Sequence, residues 1–285
     1  MKFVSFVSDG RPAFGAVKDD GVVDLMPHFA AQDATSLRSL LAIGGLDRAK
    51  NIVRGAKPDM ALTDLTFLPV VPDPDKIICI GLNYGDHVAE TGRQQTEKPA
   101  MFARFAGSQV GHMQPMVKPR SSEEFDYEGE LAVVIGTEGR HIPAERALSH
   151  VAGYTCYNEG SVRDWQRHTS QFLAGKTFAG TGAFGPWLVT TDEIPDPRGL
   201  TVETRLNGTV VQHGNTDMML TAVPELIAYC SAILPLLPGD VIVTGTPGGV
   251  GAKRNPPLWL LPGDTVEVEI SKIGCLRNPV TEEAA

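Results

Sequence analysis

Apolar and polar residues alternate with period two at the start of the chain. The pattern predicts strands over Lys2–Val7 and Ala13–Lys18, with a shorter one over Val22–Asp24. Ser8-Asp9-Gly10 and Asp19-Asp20-Gly21 supply the turns between them. The spacing then lengthens, and Ser36–Ile43 and Asp47–Arg54 read as helices. Pro69, Pro72 and Pro74 make a stiff connection into a strand over Lys76–Ile80. Beyond it short strands and turns dominate, with only a few helices. The unbroken apolar run Leu131–Ile135 predicts a strand buried on both faces, and Gly153–Tyr157 and Val241–Val243 read as further strands. The phrase Leu-Leu-Pro-Gly-Asp occurs at 236–240 and again at 260–264, each time as a turn opening a strand. Two copies are too few for a solenoid. The predicted fold class is α+β and strand-rich, with a small α/β unit over residues 1–70 and a larger domain over 73–285.

Composition narrows the function. The chain has 285 residues, 42% hydrophobic and 21% charged, which is ordinary for a globular protein able to bury a substantial core. A net charge of −9 without a Lys/Arg cluster argues against nucleic acid or an anionic membrane as partner. No apolar stretch approaches transmembrane length, and Met1–Phe6 alternates like a strand rather than a signal peptide. Cys79, Cys156, Cys230 and Cys275 are far apart and form no CxxC pair, so a reducing cytosol is the expected compartment. A small molecule is the expected partner.

Four segments carry candidate chemistry. Glu128 and Glu130 lie at the entrance of the Leu131–Ile135 strand, where alternation points both carboxylates the same way. Two like charges at the edge of a core need a divalent cation between them or a proton on one. The plainer reading is a solvated acidic strand end, since five of the eight residues Glu123–Glu130 are acidic. In the second segment, Ile80–Glu90, a turn of helix from Asn83 or Tyr84 would set His87 and Glu90 on one face. A carboxylate beside an imidazole makes a water-activating base; the alternative is an incidental surface pair. In the third, Glu159 falls at a strand end, Arg163 and Gln166 are three apart on helical turns beginning at Ser161, and Lys176 follows a loop. An isolated lysine there is ordinarily solvated. In the fourth, Val241–Val243 runs into Thr244-Gly245-Thr246-Pro247-Gly248-Gly249-Val250-Gly251, whose amides and threonine hydroxyls suit a carboxylate. Neither a P-loop nor a GxGxxG motif can be fitted, which argues against nucleotide cofactors.

The order and wording of these segments resemble the catalytic domain of the fumarylacetoacetate hydrolase family over residues 73 to 280. The matching phrases are Gly81-Leu82-Asn83-Tyr84 with His87 and Glu90, Asp126-Tyr127-Glu128-Gly129-Glu130-Leu131, Gly153-Tyr154-Thr155 and Arg163-Asp164-Trp165-Gln166. Gly185-Pro186-Trp187, Asn215-Thr216-Asp217-Met218 and the run 238–247 complete the series. The resemblance implies a mixed β-roll, a homodimer, and Mg²⁺ or Mn²⁺ held by Glu128, Glu130 and Glu159. The family usually has Asp at the last of these positions; Glu adds a methylene that backbone or water movement must absorb. By the same resemblance His87 and Glu90 are the water-activating pair, on a lid segment spanning residues 83 to 98. Arg163, Gln166, Lys176 and Thr246 line the substrate site. The implied reaction is metal-dependent hydrolysis of a carbon–carbon bond in an acylpyruvate-like β-diketo acid, with Lys176 and Arg163 or Gln166 stabilising the oxyanion or the substrate carboxylate. Decarboxylation of oxaloacetate and isomerisation of an unsaturated diacid are the rivals on the same scaffold, and a non-catalytic binding protein is the alternative of another class. Phe102, Phe105, Phe172, Trp187 and Trp259 are candidates for walling a substrate tail.

Overall fold

The computed structural model describes residues 1–284 with the exception of Asp33 and Gln95. The latter falls in the predicted lid segment, and so that position lies outside the described residues. The apolar run lies in the strand Gly129–Ile135, every residue of which is buried. Its side chains alternate between two cores. Leu131, Val133 and Ile135 join Val202, Val266, Val268 and Ile270 on one side, while Ala132 and Val134 join Phe3, Phe14, Leu37 and Leu40 on the other. Burial on both faces is why this strand reads as a continuous apolar run.

That strand is central in a twelve-stranded mixed sheet. From one edge ten strands run in the order Met60–Ala61, Gly21–Asp24, Arg11–Lys18, Lys2–Ser8, Gly182–Thr190, Val151–Glu159, Gly129–Ile135, Val241–Val243, Ile77–Gly81 and Ala100–Arg104, while Thr66–Phe67 pairs with Lys2–Ser8 and Gln109–Val110 with Gly182–Thr190 off this path. The N-terminal strands therefore extend the sheet of the larger part, with Lys2 opposite Val189 and Phe3 opposite Leu188. The helices Leu37–Ala42 and Leu46–Gly55 cover that end. A five-stranded sheet ordered Thr209–Asn215, Thr201–Leu206, Thr265–Ile270, Gly274–Glu282 and Met116–Lys118 covers the opposite face. Thr201–Leu206 buries every second residue, as a strand with one wet face must.

Most predicted elements are present with shifted ends. One prediction fails: Ser161 onward does not begin a helix. Ser161 and Val162 pair with Asp126 and Phe125, and the helix starts only at Arg163. Both Leu-Leu-Pro-Gly-Asp phrases close the same turn, with the Asp240 and Asp264 carboxylates accepting the Leu237 and Leu261 amides at 2.7 Å. Among the described residues no helix is long and apolar enough to cross a membrane.

Candidate active site

Two neighbouring strands bring the acids together. Glu130 is the second residue of Gly129–Ile135, Glu128 immediately precedes that strand, and Glu159 ends its neighbour Val151–Glu159. The Glu159 amide donates to the Glu128 carbonyl at 2.8 Å, which sets these two residues side by side across the ladder. Two glycines permit the arrangement. A Cβ on Gly129 would lie 2.1 Å from Thr204 Oγ1 in the covering sheet, and one on Gly160 would lie 1.9 Å from the Thr181 carbonyl oxygen. Only glycine allows these close approaches.

Glu128, Glu130 and Glu159 are 4%, 1% and 1% exposed, and one oxygen from each lies within 4.8 Å of the others. A solvated strand end is thereby ruled out. Lys176 is buried as well, against the solvated position that its own segment suggests; the family resemblance sets it at the substrate site. Its ammonium donates to Glu128 Oε2 and Glu159 Oε2, both at 2.8 Å. The short helix Leu173–Lys176 delivers it, so a lysine isolated in sequence is inserted between two acids in space. Burial pulls its pKa down, but the two glutamates outweigh this and raise it, so the ammonium stays charged.

Arg163 forms the second cationic contact. It donates through Nε to Asp126 Oδ2 at 2.8 Å and through Nη1 to Glu128 Oε1 at 2.6 Å and Gln166 Oε1 at 3.0 Å. Burial acts to raise the pKa of Glu128, but Lys176 and Arg163 overcome it and hold the carboxyl far below the usual range. Glu130 gains too little from Lys176 to follow it. Burial, then Glu159 and Glu128, push its pKa well up, against the Gly245 amide that it accepts at 2.5 Å.

The residues present fit a divalent cation. Among the described residues, the buried Glu130 Oε1 and Glu159 Oε1 have no hydrogen-bond partner. Orphaned carboxylate oxygens are costly in a core unless a cation occupies their lone pairs. An all-oxygen donor set suits Mg²⁺ or Mn²⁺. The longer Glu159 side chain remains within this cluster.

The dyad lies above the acids. His87 and Glu90 are on the helix Gly85–Thr91, and His87 Nδ1 is 2.7 Å from Glu90 Oε1. His87 is 7% exposed, so the pair is not an incidental surface contact. The glycine loop does take up carboxylates, but they are the chain's own. The amides of Gly245, Gly248, Gly249 and Gly251 go to Glu130, Asp86, Glu90 and Asp126 respectively. Thr246 Oγ1 donates to the Gly129 carbonyl at 2.9 Å and accepts from Gln212 Nε2 at 2.8 Å, which fastens the loop to the central strand.

His87, Glu128, Glu130, Glu159, Arg163, Gln166, Lys176 and Thr246 all line one pocket, and Glu90 backs it through His87. Of the candidate aromatic walls, Phe102 and Phe172 line it. The others are elsewhere: Phe105 is 60% exposed, Trp187 packs beneath Lys2, and Trp259 is half-buried outside the pocket. Sequence reasoning gave no role to Asp126, which anchors Arg163 and the loop, although it stands in the quoted Asp126–Leu131 phrase. It also missed Arg93, Arg167 and Lys253 at the exposed end of the pocket.

The comparisons with known proteins agree with this architecture. The fumarylacetoacetate (FAA) hydrolase C-terminal family model matches residues 76–281. A human protein named oxaloacetate tautomerase FAHD2A, mitochondrial, is 45% identical over 237 residues, spanning 82% of this chain and 76% of its own length. The fumarylacetoacetate hydrolase of psychrophilic Exiguobacterium antarcticum is 36% identical, with a TM-score of 0.83 over 99% of this chain and 100% of that one. Maleylpyruvate hydrolase from Sphingobium sp. SYK-6, solved in complex with manganese (II) ion and pyruvate, is 27% identical, with a TM-score of 0.83 over 100% of both chains. With the family's domain spanning most of its length and its acids converging in one buried cluster, the chain belongs to the fumarylacetoacetate hydrolase family of enzymes.

Proposed function

We propose that the protein transfers a proton at the carbon between two carbonyl groups of a short 2-oxo acid, interconverting keto and enol forms of an oxaloacetate-like compound. The observation that carries this reading is the His87–Glu90 pair at 2.7 Å beside the buried carboxylates. With the Nδ1 proton directed to Glu90, Nε2 is a base, and among the described residues it has no hydrogen-bond partner. The human relative's name supports tautomerisation over the carbon–carbon cleavage expected from the sequence.

Glu128, Glu130 and Glu159 would hold Mg²⁺ or Mn²⁺, and that ion supplies Lewis acidity for a developing enolate. In the keto-to-enol direction His87 takes the proton from carbon, breaking the C–H bond, and delivers it to the enolate oxygen to form the enol O–H; the reverse transfer runs the other way. Glu90 fixes the imidazole tautomer and stabilises the imidazolium. Arg163 Nη2, buried and without a partner among the described residues, is the donor for the carboxylate next to the carbonyl. Lys176 and the protein's low-dielectric walls favour negative charge on the substrate oxygens.

A second reading keeps the same residues. His87 with Glu90 equally suits deprotonation of water, which favours hydrolysis of an acylpyruvate, and the maleylpyruvate hydrolase likeness lends it support. Decarboxylation of oxaloacetate needs no such base, so the dyad favours it less. A non-catalytic binding protein has little support when every chemistry-bearing side chain is assembled. The test is to strip the protein of metal and supply enol-oxaloacetate, keto-oxaloacetate or acylpyruvates, with and without Mg²⁺ or Mn²⁺. Metal-dependent loss of the enol absorbance without carbon dioxide supports the tautomerase. Acid plus pyruvate from acylpyruvates alone moves the protein to the hydrolase reading. A homodimer is part of the proposal, and a monomer mass in sedimentation equilibrium would remove it.

A further inference from the structure

We propose that Arg93 determines substrate specificity by binding the substrate carboxylate remote from the Glu128–Glu130–Glu159 cluster. The pocket is polar at both ends with opposite signs. Its floor holds three buried carboxylates, while Arg93, Arg167 and Lys253 line its exposed end. Arg167 is paired with an acid, and Lys253 is an exposed ammonium with one long carbonyl contact. Arg167 donates to Glu124 Oε2 at 2.5 Å, and Lys253 Nζ reaches the Thr91 carbonyl at 3.4 Å.

Arg93 differs from both. Its guanidinium lies over the Phe172 ring at 4.8 Å, and among the described residues it makes no hydrogen bond or ion pair. Phe172 meets Phe102 edge-on with centroids 5.7 Å apart, and Lys176 Nζ is 5.2 Å from the Phe102 centroid. The two rings thus form a continuous wall from the lysine at the carboxylate cluster to Arg93 at the mouth. Stacking on an aromatic face holds a guanidinium plane in place and leaves its in-plane N–H fork available to bind a carboxylate bidentately. A dianion entering a chain of net charge −9 and meeting buried acids at the floor gains from a cation held at its far end. The chemical class indicated is a 2-oxo dicarboxylate rather than a 2-oxo acid with an apolar tail.

This inference deepens the proposed function, on which it rests for the diacid class and for placing the 2-oxo acid end at the carboxylate cluster. The test is therefore equilibrium binding rather than turnover. Calorimetry of the Mg²⁺-loaded protein compares ligands differing only in a terminal carboxylate against a methyl group: oxaloacetate with 2-oxobutyrate, 2-oxoglutarate with 2-oxovalerate, and 2-oxoadipate with 2-oxohexanoate. We expect the wild type to prefer at least one diacid by about tenfold. Arg93→Gln should bring that ratio close to one with the circular dichroism spectrum unchanged, and Phe172→Leu should lower it in part. Absence of a preference in the wild type overturns the inference, as does a preference that Arg93→Gln leaves intact. A preference lost in Arg93→Gln, in a protein that turns over no 2-oxo acid, keeps the specificity assignment and removes the proposed reaction instead.

Discussion

Glu90 Oε2 accepts the amide of Gly249 at 2.8 Å, from 159 residues further along the chain. Its other oxygen meets His87 Nδ1 at 2.7 Å, so the carboxylate that orients the imidazole is itself oriented by the glycine loop. The preceding amide, that of Gly248, donates to Asp86 Oδ2 at 3.1 Å. Two successive loop amides thus hold one short helix, while Gly245 and Gly251 of the same loop hold Glu130 and Asp126. A single loop sets the dyad against the acid cluster, which is the geometry that positioned general bases require.

Glu90→Gln keeps the size of the side chain and removes the charge that stabilises an imidazolium. The expected result is a fall in kcat of about 100-fold with KM little changed, since the lost interaction strengthens only as the proton moves. His87→Ala should cost more, and Mn²⁺ affinity measured by calorimetry should remain close to wild type in both variants. Full turnover in His87→Ala would remove the histidine from the chemistry.

Lys176 holds Glu128 and Glu159 together as an internal counter-ion. Lys176→Met leaves two buried carboxylates facing each other without it. Breaking such a buried pair costs about 3–5 kcal/mol, so the metal-free variant should melt well below the wild type. A divalent cation then has more to compensate, and the rise in Tm on adding Mn²⁺ should be larger in Lys176→Met than in the wild type. Equal shifts in the two proteins would count against an ion at this position. Differential scanning calorimetry with and without metal supplies both numbers.

The pH dependence of metal binding follows from Glu130. Its pKa is pushed well up by burial, then by Glu159 and Glu128, so without metal it is the carboxyl that retains a proton longest. A metal ion must displace that proton, so affinity should weaken as pH falls through the raised pKa and rise above it. Titrations in buffers of different ionisation enthalpy should show proton release on binding. Glu130→Gln should abolish both the release and most of the affinity.

His112 offers a stability test away from the site. Its Nδ1 accepts the Arg277 amide at 3.1 Å, and its ring meets Phe67 edge-on at 4.8 Å. Burial, aided by the Arg277 charge, pushes its pKa down from 6.5 to about 4. Between those values the unfolded chain binds the proton and the folded one does not. Stability is therefore fully present above the unfolded value and is lost as pH falls from 6.5 toward about 4. The contribution is on the order of 3 kcal/mol. His112→Asn keeps an acceptor for the Arg277 amide and cannot titrate, so its unfolding free energy should be flatter across that window. Urea denaturation at a series of pH values measures it.

Relationships within one element were legible in the sequence. Period-two alternation placed Glu128 and Glu130 on one side of a buried strand, and a helical spacing of three placed Glu90 against His87. The Leu131–Ile135 run announced a strand covered on both faces, and the two Leu-Leu-Pro-Gly-Asp turns announced strand starts. Local steric and hydrogen-bonding preferences decide all of these. What only the tertiary structure decided involves partners far apart along the chain. Lys176 reads as a solvated lysine until it is seen between Glu128, 48 residues away, and Glu159, 17 residues away. The loop amides look ready for a ligand until Glu90, Asp86, Glu130 and Asp126 occupy them. Phe172 and Trp187 are equally aromatic in the sequence, yet one lines the pocket and the other packs beneath Lys2. Residue type and spacing specify the face a side chain takes, but the packing of one sheet on another specifies what that face meets.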